Sequence, residues 1–265
     1  LPCFAMTATL KTNTLTGIRL KWKFDHNQRT MKHTLLFILL LIVAACTPKK
    51  EKQEATSDTS EGWEMLFDGT STEGWRGYNE AFLPDGWVIE EGTLKALGKG
   101  GDIGGDIIYG AAEFENFDLS LEWKISEGGN SGILYHVAEG AQYAALYENA
   151  PEYQLIDDLG FPDPLEKWQT VGADYAMYDP SANKVVRPAG EWNESRIRFT
   201  PEKVEYWLNG VKTVEFVPWS EDWENRKMAG KWKDYPDYGK YKTGYIGLQD
   251  HGGLTWFRNI RIKKI

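Results

Sequence analysis

The sequence predicts an all-β fold, built as an antiparallel sandwich or barrel in a single domain. Three observations lead to this prediction. Short apolar segments of strand length recur from residue 62 onward, with turn-forming residues between them. Apolar and polar residues alternate strictly in one of these segments, and an Asn-Gly dipeptide joins two others. Only one short segment has the composition of a helix.

Twelve candidate strands follow these signals in chain order. They cover residues 87–89, 93–97, 106–109, 117–125, 132–137, 153–157, 173–178, 195–199, 204–208, 212–217, 245–249 and 254–262. The segment 117–125 has the clearest pattern, because apolar residues occupy every second position from Phe117 to Trp123. This alternation is typical of a strand with one buried face.

A hairpin and a helix complete the predicted elements. Asn209-Gly210 separates two apolar segments, and both residues tolerate positive φ, which favours a tight primed turn. Ser220 is expected to cap a helix over residues 221–228, which has acidic residues in its first turn and basic residues in its last.

The N-terminal part of the chain reads as targeting sequence. Residues 1–30 show no sustained apolar period and are interpreted as misassigned upstream translation, whereas residues 31–45 are predicted to be a signal peptide. The apolar segment Leu35 to Ala45 is far shorter than the roughly 20 residues that span a bilayer. Val43-Ala44-Ala45-Cys46 resembles a bacterial lipobox, which predicts a lipid on Cys46; the alternative is an ordinary signal peptide with an unmodified cysteine.

This organisation predicts a lipoprotein of the bacterial cell envelope, on the periplasmic side or at the outer-membrane surface. Residues 46–61 are charged and small and are expected to form a flexible tether, and residues 62–265 are expected to form the folded domain. The membrane would be contacted only through the lipid on Cys46. The other cysteine, Cys3, lies upstream, so the domain must be stable without disulfides.

The net charge of the chain disfavours one class of partner. Residues 1–45 hold six of the 30 basic and one of the 39 acidic residues, which leaves a net charge of −14 on residues 46–265. A nucleic-acid partner is disfavoured, because phosphate binding needs a basic surface. The chain also lacks serine-nucleophile elbows, phosphate loops and dinucleotide fingerprints.

Polar residues interrupt two neighbouring candidate strands and define a candidate site. Since successive side chains of a strand point to opposite faces, Asn130 and His136 are expected to lie on the same face of their strand. Glu152 and Gln154 are likewise expected to lie on the same face of theirs. If both strands belong to one sheet, these side chains look into the same groove.

The second histidine of the folded part, His251, follows Gln249 at the end of a candidate strand. Histidine suits general acid/base chemistry near neutral pH, although His136 and His251 can each be explained as a structural or surface histidine. A divalent metal is a further possibility, because two imidazoles with Glu152 or Asp158 form a nitrogen/oxygen ligand set.

Glu152, Gln154 and Asp157 have the spacing of the Glu-x-Asp-x-x-Glu motif of retaining β-glucanases. Those enzymes need two carboxyl groups about 5 Å apart, and here an amide stands at the middle position. The case for conventional double displacement is therefore weaker. Alternatively, Glu152 can serve in a structural ion pair. Among the tryptophans, most of which are expected in the core, Trp168 and Trp232 are candidates for stacking on a sugar.

Several motifs resemble the 3-keto-disaccharide hydrolase domain family, and they occur in the family's order from about residue 62 to 265. The motifs are Gly62-Trp63-x-Met65-Leu66-Phe67-Asp68-Gly69, Gly74-Trp75, Phe117-x-Leu119-x-x-Glu122-Trp123, Asn130-Ser131-Gly132-Ile133, Glu152-Tyr153-Gln154-x-x-Asp157, Glu191-Trp192-Asn193, Trp207-Leu208-Asn209-Gly210, Ile246-Gly247-Leu248-Gln249-x-His251-Gly252 and Phe257-x-Asn259-Ile260. The resemblance implies a concanavalin A-like jelly-roll sandwich and an exported enzyme that acts on a small carbohydrate. His136 departs from the family, which commonly carries arginine there.

The resemblance also implies a reaction. A ketone at carbon 3 acidifies the proton on carbon 2, so a base can remove it, the aglycone leaves from carbon 1, and water adds back. For this reaction we hypothesise that His251 or Glu152 is the base. Gln154, Asn130 and His136 are donors to an oxyanion or hydroxyl, and Asp157 or Asp158 orients them. Two rival hypotheses are a carbohydrate-binding lipoprotein without catalysis and a conventional glycoside hydrolase.

Overall fold

The computed structural model describes residues 62–99 and 105–265. The predictions for the N-terminal segment, which include the signal peptide, the lipidated Cys46 and the tether, lie outside the described residues and stay predictions. None of the helices in the described part of the chain is long and apolar enough to cross a membrane.

Thirteen strands in the described residues form two antiparallel sheets. They are β1 (Glu64–Phe67), β2 (Trp75–Gly77), β3 (Trp87–Glu90), β4 (Thr93–Leu97), β5 (Ile107–Tyr109), β6 (Phe117–Ile125), β7 (Asn130–Val137), β8 (Glu152–Ile156), β9 (Asn193–Phe199), β10 (Val204–Leu208), β11 (Val211–Phe216), β12 (Tyr245–Leu248) and β13 (Leu254–Lys264).

The larger sheet has the strand order β11-β10-β9-β6-β13-β4-β3, with β1 paired to β13, and the smaller sheet has the order β2-β5-β12-β7-β8. Many neighbours are distant in the chain: β6, for example, lies between β9 and β13. Two packed antiparallel sheets with such crossovers confirm the predicted all-β jelly-roll sandwich.

The core lies between the two sheets, where alternate residues of each strand point inward. Phe117 of β6 is fully buried, and its ring stacks on Phe199 at 5.9 Å and meets Tyr135 of the other sheet edge to face at 5.9 Å. The hydroxyl groups of Tyr135 and Tyr206 lie 2.8 Å apart and join the two sheets by a hydrogen bond. The residues that alternate on β6 are therefore the ones that hold the sandwich together, as their pattern predicted.

Short helices occupy the connections. The helix α1 (Glu221–Ala229) begins where it was predicted, and its Ser220 hydroxyl accepts a hydrogen bond from the backbone N–H of Trp223 at 3.2 Å. Three 3₁₀ helices in the described residues, Leu146–Glu148, Lys167–Gln169 and Lys231–Asp234, cross the loops beside the smaller sheet.

The predicted hairpin turn is confirmed, since Asn209 and Gly210 have φ values of 47° and 79°. The strand predicted at residues 173–178 is wrong, because Ala176 adopts a φ of 58° and reverses the chain there. Asp174 makes only isolated bridges to Tyr153 and Tyr178. A hydrophobic run of strand length thus forms a turn that packs on β8.

Replacing Phe117 by alanine is expected to lower the free energy of unfolding by about 3–5 kcal/mol, because a fully buried ring leaves a cavity between the sheets. Urea denaturation measures this change. Phe82→Ala is the matched control: Phe82 is 82% exposed, so its loss should change stability by no more than about 0.5 kcal/mol. Equal effects of the two substitutions would contradict this account of the core.

Candidate functional site

The candidate site lies on the face of the smaller sheet that points away from the other sheet. In the register of β7 with β8, Gly132 pairs with Gln154 and Leu134 pairs with Glu152. Since their neighbours Ile133 and Tyr153 point into the core, Glu152 and Gln154 project from the opposite face. The register therefore places Asn130, Glu152 and Gln154 on one face of the sheet, as the sequence predicted.

Glu152 is a buried carboxyl that rests on the backbone of β7. A Cβ atom on residue 132 would lie 2.3 Å from its Oε1, so only glycine leaves room for it. The side chain is 4% exposed and forms no hydrogen bond to another described residue. Burial raises the pKa of Glu152 to about 8; Lys231 opposes this shift, and Asp106 adds to it. The carboxyl therefore holds its proton at neutral pH.

A row of amide groups connects Glu152's sheet face to His251. Gln154 Nε2 donates to Asn130 Oδ1 at 3.3 Å. The Nδ1 atom of His251 lies 3.3 Å from both Asn130 Nδ2 and Gln249 Oε1. One imidazole tautomer accepts from Asn130, and the other donates to Gln249. Four of the residues predicted from the sequence are thus joined in one network.

His251 lies on the loop between β12 and β13 and is exposed. Desolvation of its ring lowers the pKa of His251, Lys231 lowers it further, and Asp250 acts in the opposite direction. The imidazole is therefore neutral at neutral pH and can accept a proton. The loop is anchored by Asp250, whose N–H donates to Asp106 Oδ1 at 3.0 Å and whose Oδ2 accepts from Lys99 N at 3.1 Å.

Lys231, at the start of the last 3₁₀ helix, belongs to this site although it was not predicted. Its Nζ lies 5.1 Å from the ring centre of Tyr147, 4.6 Å from that of Tyr175 and 4.6 Å from that of Trp232. We call these three rings the aromatic cage. From the sequence, only Trp232 of this segment was predicted to belong to the site. The charged residues on either side of that tryptophan were the signal that could have identified Lys231.

Asp106 was also missed as a site residue. Burial raises the pKa of Asp106 to about 7; the hydrogen bond from the Asp250 N–H opposes this shift, and the charge of the Asp250 carboxylate adds to it. Its position one residue before the short strand β5 gave no sequence signal beyond that of a strand start. Asp106 holds the His251 loop and contributes negative potential at Glu152.

Main-chain hydrogen bonds hold the cage against the strand that carries Glu152. The indole N–H of Trp232 donates to the carbonyl of Tyr175 at 3.1 Å. The backbone N–H of Tyr175 donates to the carbonyl of Glu152 at 3.0 Å. The turn at residues 173–178, predicted as a strand, is thus the part that joins the cage to β8.

The structure places His136 away from these residues, which corrects its predicted position. Tyr245 pairs with Val137 but Gly247 pairs with Leu134, so β7 holds an extra residue, and His136 adopts a φ of 54°. This bulge turns the ring into the core, 4.4 Å from the ring of Phe199, where Nε2 donates to the carbonyl of Glu115 at 2.8 Å. Burial lowers the pKa of His136 to about 4.

The two predicted aspartates stabilise loops. Asp157 accepts hydrogen bonds from the backbone N–H groups of Gly128 and Leu159, at 2.9 and 3.2 Å. Asp158 accepts from the N–H of Val171 and forms an ion pair with Lys184 at 2.7 Å. Neither carboxylate is joined to the amide row.

The two predicted stacking tryptophans also differ from expectation. Trp232 is fully buried and stacks on Tyr238 at 4.0 Å, so the prediction that it stacks on a sugar is wrong. Trp168 is half-buried and meets Tyr175 edge to face at 5.3 Å, at the border of the cage. Within residues 62–99 and 105–265, no group of three or more His, Cys, Asp and Glu residues could hold a metal ion.

Comparison with known proteins places this geometry in context. The family model of the 3-keto-alpha-glucoside-1,2-lyase-like domain matches residues 62–263 of this chain. A 3-keto-disaccharide hydrolase from Bacteroides thetaiotaomicron is 35% identical over 229 residues, which cover 77% of this chain and 79% of that protein.

Two crystal structures from Parabacteroides distasonis, both of proteins with a provisional glycosyl hydrolase designation, share the fold. The first is 42% identical with a TM-score of 0.73 and matches 78% of this chain and 95% of the other. The second is 28% identical with a TM-score of 0.61 and matches 77% of this chain and 100% of the other.

Gly132→Ala is expected to push the Glu152 carboxyl out of its place and toward solvent, because the new methyl group would lie 2.3 Å from Oε1. Burial is the main cause that raises the pKa of Glu152, so the pKa should fall from about 8 toward its ordinary value of 4.5. Carbon-13 NMR titration of labelled glutamate carboxyls measures this shift.

Gly140→Ala is the matched control, since a methyl group there meets only the side chain of the exposed Gln142. It should leave the Glu152 titration unchanged. A Glu152 pKa near 8 in the folded Gly132→Ala variant would refute the contact described.

Proposed function

Because the chain belongs to the 3-keto-alpha-glucoside-1,2-lyase-like domain family, we propose that it cleaves 3-keto-glycosides by base-assisted elimination followed by hydration. Its relatives are named as hydrolases of sugars, which makes this chain a glycoside hydrolase in the broad sense. One observation carries the finer proposal: a neutral imidazole and a protonated carboxyl share one polar face, where a conventional glycosidase would place two carboxyl groups of which at least one is ionised.

The proposed reaction begins at carbon 2 of the keto sugar. The C–H electron pair forms a C2=C3 double bond as the base takes the proton, and the former carbonyl electrons rest on the carbon-3 oxygen. When that carbonyl re-forms, a double bond shifts to C1=C2 and the aglycone oxygen leaves carbon 1 with the bonding pair and a proton. Water then adds hydroxyl to carbon 1 and hydrogen to carbon 2. The products are the free keto sugar and the aglycone.

His251 is the base in this proposal. Its lowered pKa keeps the ring neutral at neutral pH, and its exposed position on the β12–β13 loop lets a substrate reach it. In the tautomer that acts as a base, Nδ1–H donates to Gln249 Oε1, which fixes the ring and leaves Nε2 unprotonated for the substrate. The sequence left the base open between His251 and Glu152, and the opposite directions of their pKa shifts support this choice.

Glu152 is the acid. A carboxyl with a pKa near 8 carries a proton at neutral pH and can transfer it to the departing aglycone oxygen. Gln154 and Asn130 lie between the acid and the base, and their amides suit hydroxyl groups of the sugar. These residues supply the base, the acid and the hydrogen-bond donors that elimination requires, and no ionised carboxylate is needed.

The rival hypotheses have less support. Double displacement needs a carboxylate nucleophile about 5 Å from the acid, and Asp157, the remaining acid of the glucanase-like spacing, is engaged with two backbone N–H groups. A binding protein without catalysis would need no base beside a protonated carboxyl, and Trp232 offers no exposed ring for stacking.

Incubation with a 3-oxidised glucoside in deuterated water is expected to place deuterium on carbon 2 of the released keto sugar, because the base exchanges its proton with solvent. The ordinary glucoside should be neither cleaved nor labelled, since its carbon-2 proton is not acidic. NMR and mass spectrometry of the product measure both outcomes. Cleavage without label at carbon 2 would rule out elimination.

His251→Gln and Glu152→Gln should each lower turnover of the 3-keto-glycoside by roughly 10²–10⁴-fold while the fold is retained, the usual contribution of a general acid or base. Glu224→Gln is the control for the carboxyl-to-amide change, because Glu224 is exposed on α1. Unchanged rates in both site variants would end the assignment of roles.

The rate is expected to depend on pH as a bell. On the acid side activity falls below pH 6.5, where His251 gains a proton at its lowered pKa; on the alkaline side it falls near pH 8, where Glu152 loses its proton. The pH dependence of kcat/KM measures both limbs. A profile that keeps rising through pH 9 would contradict Glu152 as the acid.

A further inference from the structure

Lys231 is a cation at the site that the acid and base roles leave unused. Its ammonium lies over the three rings of the aromatic cage, within 5.1 Å of each ring centre. Each ring presents the negative face of its π system to the charge, and three rings together hold it more firmly than one exposed ring would. The position of the charge is therefore fixed before any substrate arrives.

The charge of Lys231 is directed at both reacting groups. It lowers the pKa of Glu152 and of His251, which shows that its field reaches the acid and the base. Among the described residues, however, it forms no ion pair and no hydrogen bond, so its ammonium is more than 4.0 Å from every carboxylate there. No carboxylate of the described residues therefore neutralises this charge by direct contact.

Other lysines of the chain show what a structural role looks like. Lys227, four residues earlier, donates to the carbonyls of Pro236 and Tyr238 at 3.1 and 2.7 Å. Lys184 pairs with Asp158 at 2.7 Å. Each of these ammonium groups is satisfied by protein oxygens. Among the residues that the structure describes, Lys231 contacts only ring faces, which leaves its N–H groups available to a ligand.

We propose that Lys231 is a catalytic residue that binds the carbon-3 oxygen of the keto sugar and stabilises the negative charge that forms there when His251 removes the carbon-2 proton. The proposal rests on the proposed function, since it assigns a ligand to the same site. The substrate would lie between the cage and the sheet face, with its ketone toward Lys231 and its glycosidic oxygen toward Glu152. A preorganised cation at the developing oxyanion acts mainly on the transition state.

Lys231→Met keeps the length of the side chain on the cage and removes the charge. It is expected to lower kcat for a 3-oxidised glucoside about 10²–10³-fold, with a much smaller change in KM, and to slow deuterium exchange at carbon 2 by the same factor. Lys242→Met is the matched control, because Lys242 lies over the ring of Trp219 at 4.8 Å outside the site. It should retain the activity of the parent enzyme.

A second readout needs no substrate. The charged groups that act on the imidazole of His251 are Lys231 and Asp250, and the ring also contacts Asn130 and Gln249. Loss of the Lys231 charge should raise the pKa of His251, whereas Lys242→Met should not move it. Nitrogen-15 NMR titration of the imidazole measures this, with the His251→Gln variant to assign the signal.

The outcomes separate the two proposals. Exchange and cleavage by the parent enzyme together with an unimpaired Lys231→Met variant would overturn the role of Lys231 and leave the elimination mechanism intact. A Lys231→Met variant that is slow but shows no shift of the His251 pKa would place the lysine away from the base and also overturn the assignment. Absence of exchange in the parent enzyme would overturn the proposed function itself.

Discussion

The candidate site, and with it the proposed chemistry, depends on one carboxyl group held out of water against the backbone of a neighbouring strand. Glu152 fits there only because residue 132 has no side chain, and its burial raises its pKa to about 8. The sandwich supplies the rigid frame that maintains this desolvation, since both strands are tied into the sheet by main-chain hydrogen bonds. Without that frame the carboxyl would hydrate and ionise at its ordinary pKa.

Around this group the protein separates an acid from a base by environment alone. Desolvation keeps the proton on Glu152, whereas desolvation and the charge of Lys231 both favour the neutral form of His251. Opposite shifts of two titratable groups in one site are the usual physical signature of acid/base catalysis. The amides of Asn130, Gln154 and Gln249 carry no charge, so they can orient a sugar without disturbing either shift.

Much of the fold was accessible from the sequence, because alternation on β6 and the Asn209-Gly210 turn are local signals that tertiary structure preserved. What could not be predicted were local irregularities. The extra residue in β7 moved His136 from the polar face to the core, and the positive φ of Ala176 turned a strand-like run into a loop. For the site, strand periodicity brought Asn130, Glu152 and Gln154 together. Lys231 and Asp106 come from distant segments, and no spacing in the sequence links them to β8.

The turn at Ala176 has a mechanical consequence for the enzyme. The carbonyl of Tyr175 accepts the indole N–H of Trp232, and its N–H donates to the carbonyl of Glu152, so a single residue bridges the lysine-bearing helix and the acid-bearing strand. The backbones that carry Glu152 and Lys231 are consequently held at a fixed separation by covalent geometry and two hydrogen bonds. In the proposed mechanism the ring of the keto sugar would meet a wall of fixed backbone, and a bulkier substrate would have to extend toward the open side, along the loop that carries His251.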